Sequence, residues 1–176
     1  MPKPQPASYC AYVQTLPPDN VHRVYHDTQY GSLIQSDDEL FERLVLEINQ
    51  AGLSWNTILL KQKNFQKAYH HFNIKKVASY TDADRTRLLA DPGIIRNRLK
   101  VDAAIHNAQV ILRLQKEYGS FKAWLDLHKG KSREEWTKLF KSTFKFTGGE
   151  IVNEFLMSTR YLPGAHIKGC PILKKV

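Results

Sequence analysis

Hydrophobic residues recur at helical spacing along most of the chain, whereas the alternation typical of β-strands is nearly absent. The clearest pattern begins after Ser36 and Glu39, which have the spacing of a capping box, and it stops at Gly52. Its apolar members are Leu40, Phe41, Leu44, Val45, Ile48 and Ala51. This pattern predicts an amphipathic helix that begins near Ser36 and ends at Gly52.

The same periodicity continues in the following segments. Ser54 is suited to cap a helix that opens at Trp55, and Thr81 with Asp84 is suited to begin the next helix, which ends at Asp91-Pro92-Gly93. The predicted inward faces are Trp55, Ile58, Leu59, Gln62, Phe65, Tyr69 and Phe72 and, in a long helix after the turn, Val101, Ala104, Ile105, Ala108, Ile111 and Leu112. A helix, a tight turn and a helix are therefore predicted around Gly93.

Shorter helices are predicted at Ser120 and Ser132, and a last one near Thr147-Gly148-Gly149, before Pro163-Gly164 breaks the chain. Residues 15–20 are predicted to form an irregular loop. The chain contains no internal repeat and no low-complexity segment. The sequence therefore predicts an all-α fold, with a disordered lead-in at residues 1–8 and a single helical domain over residues 9–176.

The composition of the chain indicates how many domains it forms and which class of partner its charge favours. The chain has 176 residues, of which 42% are hydrophobic, which suits one domain. Its 26 basic and 17 acidic residues give a formal charge of +9, which favours a polyanionic partner. Nucleic acid is the first candidate, and charge alone does not exclude RNA or anionic lipid. Because no stretch resembles a signal peptide or approaches the ~20 apolar residues of a membrane span, a cytoplasmic protein without a membrane partner is predicted.

Glu47 is the candidate functional residue of the first predicted helix. At helical spacing it lies beside Leu44 and Ala51, at the edge of the apolar stripe, where its charge needs a partner. One interpretation is a carboxylate at the rim of the core whose oxygens reach water or an arginine, and the residues alone favour it. The other is a pocket shared with Trp55, since an acid and a large aromatic face together can bind a flat cationic ligand.

The turn around Gly93 also has two interpretations. Backbone N–H groups before a helix N-terminus suit a phosphate, and Arg96, Arg98 and Lys100 add positive charge. Phosphate contacts of this kind would hold a duplex without selecting its sequence. An ordinary corner between two helices, with solvated basic residues, explains the same sequence equally well.

Cysteine and histidine residues supply a candidate metal-binding set. His166-x-x-x-Cys170 provides two ligands, and Cys10 and His26 provide two more of the types that bind zinc. A disulfide is the competing use of the cysteines, and it is disfavoured in a reducing compartment. Unrelated structural roles for the two histidines also fit the residues.

Several separated motifs resemble the DNA-3-methyladenine glycosylase I family. The signature segment is Leu46-Glu47 followed by Gln50-Ala51-Gly52-Leu53-Ser54-Trp55. The other matching segments, in the same order as in the family, are Tyr25-His26-Asp27 with Gly31, Gly93-Ile94-Ile95-Arg96, Phe144-Lys145-Phe146 and His166-x-x-x-Cys170. The resemblance covers roughly residues 10–170.

This resemblance implies a helix-hairpin-helix DNA glycosylase fold and a monomeric enzyme that acts on double-stranded DNA with alkylated bases. It implies monofunctional hydrolysis of the N-glycosidic bond of 3-methyladenine, the first step of base excision repair. The implied site residues are Glu47 for catalysis and base binding, Tyr25 and Trp55 for base binding, and Gly93, Ile94, Ile95, Arg96 and Lys100 for DNA contacts. One structural zinc ion, held by Cys10, His26, His166 and Cys170, is implied to join the N- and C-terminal segments.

The chain departs from the family pattern at Gln29, Tyr30, Asn49, Leu99 and Glu150. These departures leave open an alternative from a different class, a zinc-stapled helix-hairpin-helix module that binds DNA without cleaving a glycosidic bond. The intact Glu47, Tyr25 and Trp55 favour the enzyme over this module.

Overall fold

The computed structural model describes residues 7–174, and within this range the chain is helical and contains no strand. Its α-helices are α1 (Tyr9–Gln14), α2 (Val21–Thr28), α3 (Asp37–Gln50), α4 (Trp55–Ala68), α5 (Ile74–Ala78), α6 (Asp82–Ala90), α7 (Arg98–Tyr118), α8 (Phe121–Leu127), α9 (Arg133–Thr143) and α10 (Gly149–Ser158). Short 3-10 turns lie at His70–Phe72 and Pro171–Lys174. The all-α prediction is confirmed for this range, in which no helix is long and apolar enough to cross a membrane.

The chain forms two compact units. Residues 7–33 and 156–174 belong to the first unit, and residues 34–155 form the second. The single domain predicted for residues 9–176 stays a prediction. Of the predicted lead-in, residues 1–6 lie outside the described residues, whereas Ser8 already caps α1 by accepting a hydrogen bond from the backbone N–H of Ala11.

Capping residues begin the helices of the second unit where the sequence predicts. The Ser36 side chain accepts the N–H of Glu39 at the start of α3, and the Ser54 side chain accepts the N–H of Thr57 at the start of α4. Complete capping boxes lie at Thr81 with Asp84, before α6, and at Ser132 with Glu135, before α9. Local sequence therefore sets these helix starts.

The long helix α7 organises the packing of the second unit. Its predicted stripe of Val101, Ala104, Ile105, Ala108 and Ile111 is buried, and Leu112 is partly buried. The helix packs against α3, α5, α6 and α8. Since α3 carries Glu47 and α7 follows the turn at Gly93, the packing of these two helices fixes the candidate site relative to that turn.

The helix predicted to run from Trp55 to Phe72 is shorter than its pattern suggests. It ends at Ala68, and the backbone of His70, His71 and Phe72 has φ angles of 51°, 53° and 54°, in the left-handed region. This conformation costs about 1–2 kcal/mol per residue. Tertiary contacts hold it, because Phe72 is fully buried and its ring centroid lies 6.0 Å from that of Phe41 on α3.

Candidate active site and metal-binding cluster

Glu47 lies one turn before the end of α3, and its side chain is almost completely buried, with a residue exposure of 5%. Burial raises the pKa of Glu47 from its ordinary value of 4.5 to about 8. The buried Arg43, one helical turn earlier, lowers this pKa, and Glu154 on α10 raises it. The Glu47 oxygens therefore lie in the interior rather than in water, and of the two partners that the rim interpretation allowed, the arginine is present as Arg43.

A buried carboxyl with such a pKa is largely protonated at neutral pH. Ionisation becomes favourable when a positive charge enters its surroundings, since an opposite charge stabilises the carboxylate. Strongly shifted pKa values are concentrated at functional sites. Glu47 is therefore suited to respond to a cationic ligand.

The loop of residues 51–54 connects Glu47 to the predicted aromatic partner. Gly52 has a φ of +79°, which favours glycine, and the Leu53 N–H donates to the Gln50 carbonyl at 2.7 Å. Trp55 follows as the first residue of α4, where it is partly exposed, and α4 packs against α3. The structure thus places Glu47 and Trp55 at the adjoining ends of two packed helices, while the buried Tyr25 belongs to the first unit.

Lys100 occupies a position that the sequence did not predict. Its residue exposure is 4%, and its Nζ donates to the carbonyl oxygens of Asn49, at 2.8 Å, and Ala51, at 2.6 Å. Burial lowers the pKa of the Lys100 ammonium. The predicted DNA contact of Lys100 is corrected here, because its charge is directed at the end of α3 instead of the solvent.

The turn between α6 and α7 exposes other basic residues. Asp91 Oδ1 accepts the N–H of Gly93 at 2.7 Å, and Lys61 Nζ donates to the carbonyl oxygen of Pro92 at 2.9 Å. Ile94 is buried, and Ile95 is partly buried. The exposed side chains near the start of α7 are those of Arg96, Asn97, Arg98 and Leu99. Leu99, with 68% of its area exposed, does not disturb the packing of the turn.

The four predicted metal ligands come together in the first unit. The candidate ligand atoms of Cys10, His26, His166 and Cys170 all lie within 4.8 Å of one another. His26 Nε2 lies 3.3 Å from Cys10 Sγ and 3.6 Å from Cys170 Sγ, and His166 Nδ1 lies 3.7 Å and 3.6 Å from the same sulfurs. A tetrahedral zinc site requires a sulfur–nitrogen distance of about 3.6 Å, from bonds of about 2.3 and 2.05 Å. The cluster can therefore hold a metal ion.

The histidine rings of this cluster are oriented by hydrogen bonds on their far sides. His26 Nδ1 lies 2.7 Å from Asp27 Oδ1, and His166 Nε2 lies 2.9 Å from the carbonyl oxygen of Tyr30. Such outer contacts fix which nitrogen faces a metal. Gly31, with a φ of +69°, lets the His166 ring lie close to the backbone, because a Cβ at this position would lie only 2.9 Å from His166 Nε2.

Three of the departures from the family pattern, Gln29, Asn49 and Glu150, make local structural contacts. Gln29 follows α2, and its N–H donates to Tyr25 O, while the buried Asn49 side chain donates to the Val45 carbonyl at 2.8 Å. Glu150 lies in the first turn of α10, as the sequence suggests, and pairs with Arg133. None of these contacts involves the Glu47 side chain.

Arg43 and Glu154 are the charged neighbours of Glu47 that the sequence interpretation missed. Arg43 precedes Glu47 by four residues, the spacing that places side chains on one helix face, so this partner was detectable. Glu154 comes from a distant segment, and no local pattern connects it to Glu47.

Comparisons with known proteins identify chains that are similar to this one. A family model described as methyladenine glycosylase matches residues 15–146. The chain is 30% identical over 165 residues to the DNA-3-methyladenine glycosylase of Haemophilus influenzae, covering 84% of this chain and 89% of that protein. It is 32% identical over 171 residues to DNA-3-methyladenine glycosylase 1 of Escherichia coli, covering 86% and 91%.

Solved structures are similar over almost the whole chain. The 3-methyladenine DNA glycosylase I of Staphylococcus aureus has a TM-score of 0.82 and 32% identity, covering 96% of this chain and 97% of that one. A variant of 3-methyladenine DNA glycosylase I in complex with 3-methyladenine has a TM-score of 0.81 and 32% identity, covering 93% and 96%.

Replacement of Glu47 is expected to change how stability depends on pH. The pKa of Glu47 is about 8 in the folded protein and has its ordinary value of 4.5 in the unfolded chain. The contribution of the protonated carboxyl to the free energy of unfolding is therefore fully present below pH 4.5 and is lost as the pH rises towards 8. Between pH 4 and pH 7 the loss is about 3 kcal/mol, at about 1.36 kcal/mol per pKa unit. Urea unfolding should therefore show the free energy of Glu47→Gln rising by that amount relative to the wild type. A difference that is constant across this range would contradict the shifted pKa.

Proposed function

Because the chain belongs to the methyladenine glycosylase family, we propose that it hydrolyses the N-glycosidic bond of 3-methyladenine in alkylated DNA and so begins base excision repair. The observation that carries this proposal is the buried Glu47 carboxyl, with a pKa of about 8, on the helix that ends beside Trp55. The relatives named as 3-methyladenine glycosylases, one of them in complex with that base, support the choice of substrate.

The substrate itself supplies part of the reactivity. Methylation at N3 makes the adenine of a nucleotide cationic, which weakens its glycosidic bond and makes the base a good neutral leaving group. The enzyme must extrude the nucleotide from the duplex, at an unstacking cost of roughly a few kcal/mol, and bind the base. As the glycosidic bond breaks, the base leaves as a neutral molecule with the bonding electrons, so strong acid catalysis is not needed. Water attacks the sugar carbon and releases a proton to the solvent, so no covalent lysine intermediate is needed.

Glu47 supplies recognition of the positive charge. A cationic base in the pocket lowers the pKa of Glu47, so the carboxyl loses its proton and accepts hydrogen bonds from the base. A neutral, undamaged base offers no such compensation for a buried carboxylate. Trp55 provides an aromatic face on which the cationic base stacks, and the role of Tyr25 in base binding stays a prediction.

The α6–α7 segment is proposed to be the helix-hairpin-helix element that holds the duplex. Gly93, Ile94 and Ile95 form the turn, and the exposed Arg96 supplies the positive charge next to a phosphate. The partner is therefore alkylated double-stranded DNA. The monomeric state and the cytoplasmic location stay predictions.

Zinc is the proposed occupant of the Cys10, His26, His166 and Cys170 cluster, because two sulfurs and two imidazole nitrogens at tetrahedral spacing suit that ion. Four protein ligands complete its usual shell, so a bound zinc ion would stabilise the fold and would not activate water. The ligands hold the N-terminal α1 and α2 to the C-terminal segment. The proposed zinc site is therefore structural rather than catalytic.

Release of 3-methyladenine from methylated duplex DNA, identified by chromatography, tests the proposed function. The wild type should release the base, and Glu47→Gln should release it more than tenfold more slowly in single turnover, because a charge-assisted hydrogen bond worth ~1.5–3 kcal/mol is weakened. Thermal melts of both proteins serve as the control for folding. If the folded wild type binds duplex DNA without releasing any base, the DNA-binding module is the better description.

Arg96→Ala should weaken binding to undamaged and lesion-bearing duplexes equally, because a phosphate contact carries little base information. The dependence of log affinity on log salt concentration should become shallower by about one unit. Arg133→Ala, which removes an equal exposed charge next to Glu150, is the matched control and should leave the slope unchanged. A loss confined to lesion-bearing DNA would show that Arg96 does not contact the backbone.

One zinc ion per chain is expected in protein purified without chelators, since all four ligands are in place. Elemental analysis should give this ratio, and Cys170→Ser should reduce it while lowering the melting temperature. A folded, active preparation with almost no zinc would exclude the structural metal.

A further inference from the structure

Lys100 connects three segments of the second unit through one buried ammonium group. Its Nζ donates to the carbonyl oxygens of Asn49 and Ala51, at 2.8 and 2.6 Å, where α3 ends. Lys100 itself lies in the first turn of α7, two residues after the exposed Arg98 and four after the exposed Arg96. The same Nζ lies 6.0 Å from the ring centroid of Phe146, in the segment before α10.

This contact is costly, and the end of α3 does not need it to stop the helix. Burial of an ammonium group disfavours its charged form, and the pKa of Lys100 is lowered accordingly. Gly52, with its positive φ, already provides a local turn after α3. What Lys100 adds is a link between the loop of residues 51–54 and the helix that follows the turn at Gly93.

We propose that Lys100 is a positioning residue for base excision, which sets the loop between Glu47 and Trp55 relative to the DNA-binding turn. Glu47 precedes this loop and Trp55 follows it, so a displacement of Ala51 changes the spacing of the two groups that hold the base. This inference rests on the proposed function. Through this link, a duplex held at the turn presents its extruded base to a pocket of fixed geometry.

Arg87 offers a matched comparison within the same unit. Its Nη1 donates to the carbonyl oxygen of Ala68, the last residue of α4, at 2.8 Å, and its guanidinium lies 5.4 Å from the ring centroid of Tyr80. Lys100 and Arg87 are thus both cations that cap the end of a helix beside an aromatic ring. Only Lys100 caps the helix that carries Glu47.

The test compares Lys100→Met with Arg87→Met at a temperature at which thermal melts show both to be folded. With saturating methylated duplex, Lys100→Met should release 3-methyladenine at least ~10-fold more slowly than the wild type, because small displacements of reacting groups are costly. Its affinity for undamaged duplex should be unchanged. Arg87→Met should release the base at the wild-type rate, and Lys100→Arg, which keeps the charge, should recover most of the rate.

Hydrogen exchange supplies a readout that does not depend on activity. The backbone amides of residues 51–55 should exchange faster in Lys100→Met than in the wild type, and Arg87→Met should leave them unchanged. If Lys100→Met does not fold, Lys100→Gln, which is neutral but retains a donor, takes its place with the same expectations.

Unchanged exchange of residues 51–55 in Lys100→Met would overturn the proposal, and so would two results of the rate and affinity measurements. One is base release by Lys100→Met at the rate of Arg87→Met. The other is a loss of affinity for undamaged duplex that matches the loss of rate, which would make Lys100 a phosphate contact. If the wild type releases no base, the proposed function is contradicted. Exchange alone then tests the link between Lys100 and the loop of residues 51–54, and unchanged exchange of residues 51–55 in Lys100→Met would contradict that link.

Discussion

The burial of the Glu47 carboxyl is the constraint on which the proposed site depends. A carboxyl group in the interior is stable only as the neutral acid or beside a positive charge. The buried Arg43 supplies part of that charge, and it is insufficient, because the pKa of Glu47 still rises to about 8. In the proposed function, a cationic base brings the missing compensation, and the cost of burying Glu47 becomes selectivity for alkylated adenine.

Selectivity of this kind requires that the helices around Glu47 keep their positions when a base binds. In the second unit, α7 packs against α3, and Lys100 reaches from α7 to the carbonyl groups that end α3. Interiors packed this closely resist small displacements. In the first unit, the cluster of Cys10, His26, His166 and Cys170 brings together residues as far apart in the chain as Cys10 and His166, which are separated by 156 positions. The proposed zinc ion would give this cluster the corresponding role.

Local sequence signals were sufficient for most helix starts. Ser54, Thr81 and Ser132 begin helices for reasons of hydrogen bonding that operate within four residues. The set of two cysteines and two histidines that lie together was implied by the family resemblance, because no local signal connects Cys10 and His26 to His166 and Cys170. The end of α4 was misjudged because Tyr69 and Phe72 continue an apolar period while the backbone between them turns left-handed. Tertiary packing decides that conformation, and periodicity does not report it.

The same limit applies to the candidate site. Lys100 belongs to a run of basic residues whose members look alike in the sequence, and only the packing of α7 on α3 directs one of them inward. Glu47 lies at the edge of an apolar stripe, where helical geometry permits either a solvated or a buried carboxyl. The choice depends on tertiary packing, which also brings Glu154, far along the chain, near enough to raise the pKa of Glu47.

A carbon-13 NMR titration of the glutamate side-chain carboxyl groups, with the Glu47 resonance assigned by its loss in Glu47→Gln, tests this account most directly. In the free wild-type protein the Glu47 resonance should titrate with a midpoint of about 8. A midpoint near the ordinary 4.5 would contradict it, because the carboxylate would then be stable without a cationic base.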